Sequence, residues 1–426
     1  MLISLKANNC LIYSSEVEFS MRANMHYKHF YNNVYNAGRF CVVKSAILIG
    51  PNNSGKTCFV NSLRLIKSII LNQRGQAKIP KNLFTKSNET MLEVAFLENG
   101  HEYVFTIRYD SSISEYTYER FAEVFHDEHG NKREETLLLR DVAGDEYYCM
   151  DEQIITAMRI ASRTNILIYL VNSSSFETMT RITHALWSFA SKIDIVDMNN
   201  IPVQKTIDML KLNNEETRKI VNFILNADLS LKDYKYLGDE EAKRFFDIDE
   251  NSGPQETVLK NQVLLSDVFH LASVYKGIIV PSMLFDSTGT KKIAALASYV
   301  IDALEKGRIL VVDELDNSLH FRLTRAIIAL FNNEMNAEAQ LIATVHDISL
   351  LDCQTLFRKD QIWFATKDED NAYLYPLSLF TAEKDKIRSN TDLVENYKRG
   401  VFGAIPEPDL FKSLLEVREN AAGSTE

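Results

Sequence analysis

No apolar run in this 426-residue chain approaches the roughly 20 residues needed to cross a bilayer, so a water-soluble chain without membrane attachment is expected. The start, MLISLKANNC, lacks the basic region followed by an apolar stretch that marks a secretory signal; export is not expected, and a cytoplasmic location is. Cysteine is sparse and unpaired: Cys10, Cys41, Cys58, Cys149 and Cys353 stand singly, without zinc-binding spacing or a disulfide framework. Basic residues are outnumbered, 47 Lys and Arg against 58 Asp and Glu, for a formal charge of −11. That balance argues against a surface generally attractive to the nucleic-acid backbone, while a local basic groove leaves nucleic acid open as a partner. The acidic residues are dispersed, and their densest zone, Asp239, Glu240, Glu241, Asp247, Asp249 and Glu250, reads as a solvated face or loop. There is no internal repeat, no low-complexity segment and no long heptad run for a coiled-coil arm.

What is present is the composition of a globular protein, 46% hydrophobic and 25% charged, in a chain long enough for two cores, one inserted in the other. Alternating residues near Leu2 to Lys6 and Leu11 to Met21 suit strands. After a polar, aromatic-rich stretch from His26 to Asn36, Ala46 to Ile49 is a short β-branched run suited to a buried strand. Apolar residues at Phe59, Val60, Leu63, Ile66, Ile69 and Ile70 then follow a helical spacing. Two alternating runs between Met91 and Tyr109 flank Glu98, Asn99 and Gly100, a hairpin signal, and a second turn is expected at His129, Gly130 and Asn131. From Gln153 to Leu237 the pattern is mainly helical, with a capping box expected at Ser174 and Glu177 and a helix start at Asn214, Glu215 and Glu216. Beyond Leu284 the order is helix, strand (Ile309 to Val312), helix (Arg322 to Phe331), strand (Gln340 to Val345), which predicts a parallel buried sheet shared with the Ala46 strand. The expected division is 1–150, 151–284 as a mainly helical insertion, and 285–426.

Four segments carry chemistry. In Gly50-Pro51-Asn52-Asn53-Ser54-Gly55-Lys56-Thr57 the glycines allow a tight loop whose N–H groups face phosphate oxygens. Lys56 adds a point charge for the β- and γ-phosphates, and the Thr57 hydroxyl is a ligand for Mg2+. The strand, loop and helix around it are the context this chemistry needs, and ATP with Mg2+ is the expected ligand. In RILVVDELDNSLH, Asp313 and Glu314 emerge at the carboxyl end of a strand, where ligands of open α/β sheets sit. Asp313 is expected to hold Mg2+, and Glu314 to polarise the water that attacks the γ-phosphate. A further strand ends at His346, which can donate to the γ-phosphate. Last, Ser287-Thr288-Gly289-Thr290 opens a helix just before the acidic strand; Ser287 reads either as an N-cap or as part of a second anion site.

The order of phosphate loop, Ser-Gly helix start, DE strand and histidine resembles the ABC-type ATPases, in the branch of the SMC and RecF heads. Within it the chain is similar to the AAA15-type ATPases of bacterial anti-phage defence, akin to the ATPase partners of RloB-like proteins and the ATPase part of the overcoming-lysogenisation-defect proteins. The segments that carry this are MLISLKANN, GPNNSGKT, DSTGTKK, VVDELDNSLH, QLIATVHDISLLD, KDQIWFATKDED and YKRGVFGAIP. The resemblance implies an α/β head with a mixed, largely parallel sheet, a small antiparallel β subdomain and an inserted helical lobe. It also implies a homodimer or higher even oligomer with ATP between protomers, Ser287 and Gly289 reaching the partner's nucleotide, and Asp316 to Leu319 at the seam. A separately encoded effector, RloB-like or another toxin or nuclease, is the implied partner; a DNA-repair clamp of the RecF or SMC kind is the alternative. Departures are Cys10-Leu11-Ile12-Tyr13 after Asn9, Gly400-Val401-Phe402-Gly403 in the tail, and no assignable glutamine loop. Only about 80 residues follow His346, too few for a further nuclease domain with its linker, and Asp368-Glu369-Asp370 reads as a hairpin turn.

Overall fold

In the computed structural model the described residues are 1–27, 29–37, 40–72, 78–126, 132–169, 176–245, 266–385, 387–388 and 391–405. The turn expected at His129 to Asn131, Ser174, the acidic residues Asp247, Asp249 and Glu250, and Pro406 lie outside them. The strands are β1 (Leu2–Asn8), β2 (Val17–Ser20), β3 (Val34–Ala37), β4 (Phe40–Val43), β5 (Ser45–Ile49), β6 (Glu89–Glu98), β7 (His101–Asp110), β8 (Glu115–His126) and β9 (Lys132–Asp141). They continue with β10 (Glu146–Cys149), β11 (Ile193–Asp197), β12 (Asp233–Tyr236), β13 (Leu271–Tyr275), β14 (Ile278–Pro281), β15 (Ile309–Asp313), β16 (Gln340–Val345), β17 (Ile362–Lys367) and β18 (Ala372–Pro376). The helices are α1 (Lys56–Ile70), α2 (Glu152–Ile160), α3 (Glu177–Ser191), α4 (Gln204–Lys211), α5 (Glu215–Ala227), α6 (Asp239–Phe245), α7 (Ser282–Phe285), α8 (Thr288–Lys306), α9 (Phe321–Phe331) and α10 (Leu393–Lys398).

Two sheets form the body. One is a six-stranded sheet in the order β11-β15-β16-β5-β17-β18, parallel except for the β17/β18 hairpin, as the buried apolar runs require. Alternation along its strands divides the interior: Ala46, Leu48, Ile309 and Val311 face one core, and Ile47, Ile49, Leu310 and Val312 face another. The first core holds α1 and the antiparallel sheet; the second holds Ile293, Leu296 and Val300 of α8 and Ile327, Ile328 and Phe331 of α9. The antiparallel sheet, order β10-β9-β8-β7-β6-β1-β2, has seven strands. It is larger than the small subdomain expected from the hairpin signal, because β1 and β2 join it. Asn99 and Gly100, both with positive φ (51° and 78°), make the tight turn between β6 and β7.

The mixed α/β class expected from the sequence therefore holds, but residues 151–284 are not one helical insertion. Within them β11 pairs in parallel with β15, from Ile193 against Ile309 to Asp197 against Asp313, and is an edge of the central sheet. Helix α3 packs on α1 and β6 through Phe189, which stacks on Phe96 at 4.3 Å between ring centroids. The lobe proper begins after β11: α4 and α5 pack on α8, and β12, β13 and β14 form a small antiparallel sheet beside them. The Thr206 hydroxyl, fully buried, bonds Ala294 O, Ala295 O and Ser298 Oγ and fixes α4 to α8. Asn214 caps α5 in a reciprocal box with Thr217, as its position predicts.

Gln340, at the start of β16, ties the two sheets together. Its side-chain oxygen accepts from Leu2 N–H at 2.6 Å, and its amide donates to Leu2 O at 3.0 Å and Val43 O at 3.4 Å, all away from water. Gln340→Met keeps the volume but leaves the Leu2 groups unsatisfied, so it is expected to cost about 2–4 kcal/mol of stability, measured by urea unfolding against the wild-type chain.

Candidate functional site

The parallel order sets where the site lies. Strands β5, β15 and β16 are neighbours running the same way, so residues after their carboxyl ends, Gly50 to Thr57, Asp313 with Glu314, and His346, share one edge. A cavity of about 320 Å³ is lined by Asn52 through Cys58, Asp313, Glu314, His346 and Ile12. The structure thus brings together most of the residues singled out in the sequence. Ser287 and Gly289 do not line this cavity.

The loop can turn as it does because of its glycines. A Cβ on Gly50 would stand 2.1 Å from Ala365 O in β17, and Gly55 has φ +107°, a conformation side chains rarely adopt. Tyr13 donates to Gly55 O at 2.9 Å, and burial pushes its phenol well up, keeping it a neutral donor. The turn at Cys10 to Tyr13 therefore supports the loop through Tyr13; it divides the stretch from Leu11 to Met21, of which only β2 is strand.

Three observations fit this loop to a phosphate chain. Helix α1 starts at Gly55 without a side-chain cap, so its first N–H groups have no acceptor of their own there. Ser54 is 2% exposed, and its hydroxyl has no hydrogen-bond partner among the described residues. The Lys56 ammonium, buried, donates to the carbonyls of Gly50 and Pro51 at 2.7 and 2.8 Å, neutral acceptors rather than carboxylates. Burial pushes that ammonium down to about 8, against the opposing pull of Asp313, Glu314 and Asp316. Thr57, exposed at the start of α1, and the Asp313 carboxylate beside it are oxygen ligands of the kind Mg2+ takes.

Thr344, fully buried in β16, organises the acidic pair. Its hydroxyl donates to Asp313 Oδ1 at 2.5 Å and accepts from Glu314 N–H at 2.7 Å. Glu314 has φ 58°, left-handed backbone that costs energy for a side chain of this size. Its carboxylate is gripped as well: Oε2 accepts from Asn199 Nδ2 at 2.9 Å and Asn317 Nδ2 at 3.0 Å, while Oε1 lies 3.9 Å from His346 Nε2. The Asn199 amide, with Asn317 beside it, holds the Glu314 carboxyl below its ordinary value despite partial burial. Asp316 Oδ2 accepts from the N–H groups of His346 and Asp347 at 2.8 and 2.6 Å, joining the two strand ends.

Ser287 is an N-cap, accepting from Thr290 N–H at 3.1 Å. Gly289 is required there, since a Cβ would meet Ser318 O at 2.9 Å, and Lys292 donates to Asn317 O and Ser318 Oγ at 3.3 and 3.2 Å. The start of α8 and the segment from Asp316 to Leu319 are therefore one packed unit. Sequence reasoning missed Asn199, Asn317 and Thr344. Asn199 follows β11, whose acidic, half-exposed pattern (IDIVD) conceals a sheet strand.

A glycine-lysine loop between a buried strand and a helix, at the carboxyl edge of a parallel sheet beside a second strand's Asp-Glu, defines a P-loop nucleotide-binding protein. The chain belongs to the family described as "AAA domain, putative AbiEii toxin, Type IV TA system", whose model matches residues 45–352. Two solved structures share 11% identity with it: an SMC head bound to the C-winged helix domain of ScpA, with a TM-score of 0.45 over 90% of this chain and 99% of that one, and an SMC head domain from Thermotoga maritima, with 0.41 over 88% and 98%. No curated protein matches the chain.

The buried ammonium sets a pH dependence. Because Lys56 holds its proton less tightly in the folded chain (about 8) than its ordinary 10.5, the unfolded chain binds the extra proton between those values, and stability should rise with pH across that window. In Lys56→Met this contribution to the rise should vanish, as followed by urea unfolding of both proteins at several pH values between the two.

Proposed function

We propose that the chain is an ATP-hydrolysing switch of the ABC kind that works as a dimer and controls a separate effector in anti-phage defence. The observation that carries this reading is the convergence of the loop, Asp313, Glu314 and His346 on one cavity. Lys56 and the uncapped start of α1 bind the β- and γ-phosphates. Thr57 and Asp313 hold Mg2+, which when bound neutralises charge on the phosphate oxygens. Glu314, ionised and oriented by Asn199 and Asn317, takes a proton from water on Oε1, the oxygen facing His346. The water oxygen bonds to the γ-phosphorus, the bond to the β–γ bridging oxygen breaks, and the electron pair leaves with ADP. His346 donates to a γ-phosphate oxygen.

Ser287 and Gly289 stand outside their own chain's cavity, which suits a role toward the nucleotide of a second copy. ATP then adds contacts across an interface that lacks them without nucleotide, and closure follows from that difference in affinity. The packing of Gly289 on Ser318, with Asn317 bonded to Glu314, gives the partner's position a direct route to the proton acceptor. Asn199, which bonds Glu314 and lies next to the lobe, serves to link the two. The family's description, a toxin of a type IV TA system, supports a link to toxin control; the effector is a separately encoded RloB-like protein or another toxin or nuclease.

Lys56→Ala is expected to lose ATP binding in a filter or calorimetric assay. Glu314→Gln should bind ATP, hydrolyse it about 10²–10⁴-fold more slowly and accumulate as a dimer in light scattering with ATP and Mg2+. Wild-type turnover in Glu314→Gln would remove that residue from its role, and an ATP-dependent, salt-sensitive affinity for duplex DNA would replace effector control with a DNA clamp.

A further inference from the structure

The helical lobe contains a cleft of about 720 Å³ between α4, α5 and β12, away from the P-loop cavity. Its volume lies within the roughly 300–1,000 Å³ common for small-ligand sites. Leu210, Val221 and Tyr234 supply apolar surface, and Arg218, Lys235 and Asp233 supply charge.

The charged groups on this lining differ in how far they are engaged. Lys211, also on its lining, is committed: its ammonium pairs with Asp267 at 2.7 Å and lies 4.8 Å from the centre of the Tyr236 ring. That ring is also stacked on His270 at 5.1 Å, so Tyr236 is held within the lobe. Arg218 and Lys235, by contrast, make no side-chain hydrogen bond, ion pair or ring contact among the described residues. Two uncommitted cations in a chain of charge −11 match a phosphomonoester, which carries about −1.5 to −2 near neutral pH. Arg218 offers a planar fork and Lys235 a point charge. Asp233 uses one oxygen on Tyr234 N–H at 2.9 Å, leaving the other to accept from a sugar hydroxyl.

The cleft is also connected to the nucleotide machinery. Helix α5 lines it with Thr217, Arg218, Val221 and Asn222 and ends at its C-cap, Asp228. There Asp228 Oδ2 accepts from the Thr290 hydroxyl at 2.7 Å, and Thr290 lies in the first turn of α8, bonded to Ser287. These hydrogen bonds link the end of α5 to the Ser287–Gly289 turn.

We propose that this cleft binds a small phosphorylated ligand of the nucleoside monophosphate class and regulates the nucleotide site through α5 and the Asp228–Thr290 hydrogen bond. Binding stands on the lobe alone; the regulatory half rests on the ATPase reading above. To keep the P-loop out of the measurement, the full chain carrying Lys56→Ala is titrated calorimetrically with AMP, GMP, CMP and UMP. At least one is expected to bind, and the added pair Arg218→Ala and Lys235→Ala should weaken it about tenfold or more without moving the thermal midpoint of the protein alone. If none of the four binds, or the pair leaves affinity unchanged, the site is refuted. In the chain with Lys56 intact, the bound monophosphate should change ATP turnover, and Asp228→Ala should abolish that change while the monophosphate still binds. Binding at the cleft with no effect on measurable turnover overturns the regulatory half. Absence of any turnover indicts the ATPase reading instead, with the titration still standing.

Discussion

The parallel pairing of β5 with β16, and of β16 with β15, is the constraint on which the rest of the site depends. Register along these strands is fixed by apolar side chains that alternate between two filled cores, so a slip of one residue would turn each set toward the wrong core. With the register fixed, Thr344 lies beside the last residues of β15 and can hold Asp313 by its side chain and Glu314 by its backbone. The left-handed turn at Glu314 is tolerated because both its N–H and its carboxylate have partners. Chemistry at this edge is therefore an outcome of core packing two strands wide.

Much of this was legible in the sequence where one signal sufficed. The buried strands β5, β15 and β16 read as short β-branched runs, α1 as a helical apolar spacing, and the β6/β7 turn as Asn-Gly, because each is dictated by local burial or local dihedral angles. The misread parts are those settled by distant partners. Strand β11 has two half-buried residues, Asp194 and Ile195, in its middle; the Asp194 carboxylate is compensated there by Arg308 and Lys205, which reach it from elsewhere in the chain. Its identity as a strand comes from pairing with β15, not from its own pattern. The same holds within the site: the loop, Asp313, Glu314 and His346 stand in recognisable strings, whereas Asn199 gains its part only by lying opposite Glu314.

The lobe and the sheet are joined by apolar packing and by polar contacts, three of which bear on the site. Thr206 fixes α4 to α8, Asn199 spans from the end of β11 to Glu314, and Thr290 links the start of α8 to the end of α5. The first and last are polar contacts on helices and the second lies at strand ends; at each, a small rotation changes hydrogen-bond geometry sharply while the apolar packing of α4 and α5 on α8 persists. Rigid packing with a few polar joints suits a lobe that moves as a body.

The approach of Gly50 to Ala365 O has a bearing on where the working unit ends. The wall against which the phosphate loop turns belongs to β17, and β17 lies beyond residue 352, the limit of the matched family segment. A fragment trimmed to that segment would keep Gly50 to Thr57, Asp313, Glu314 and His346 but lose Ile12 of the cavity lining, Tyr13 beneath the loop and the β17 surface that shapes it. It would also expose the β5 edge, an apolar strand with unpaired backbone, to association with other chains. The boundary of sequence likeness and the boundary of mechanical integrity are thus different places in this molecule.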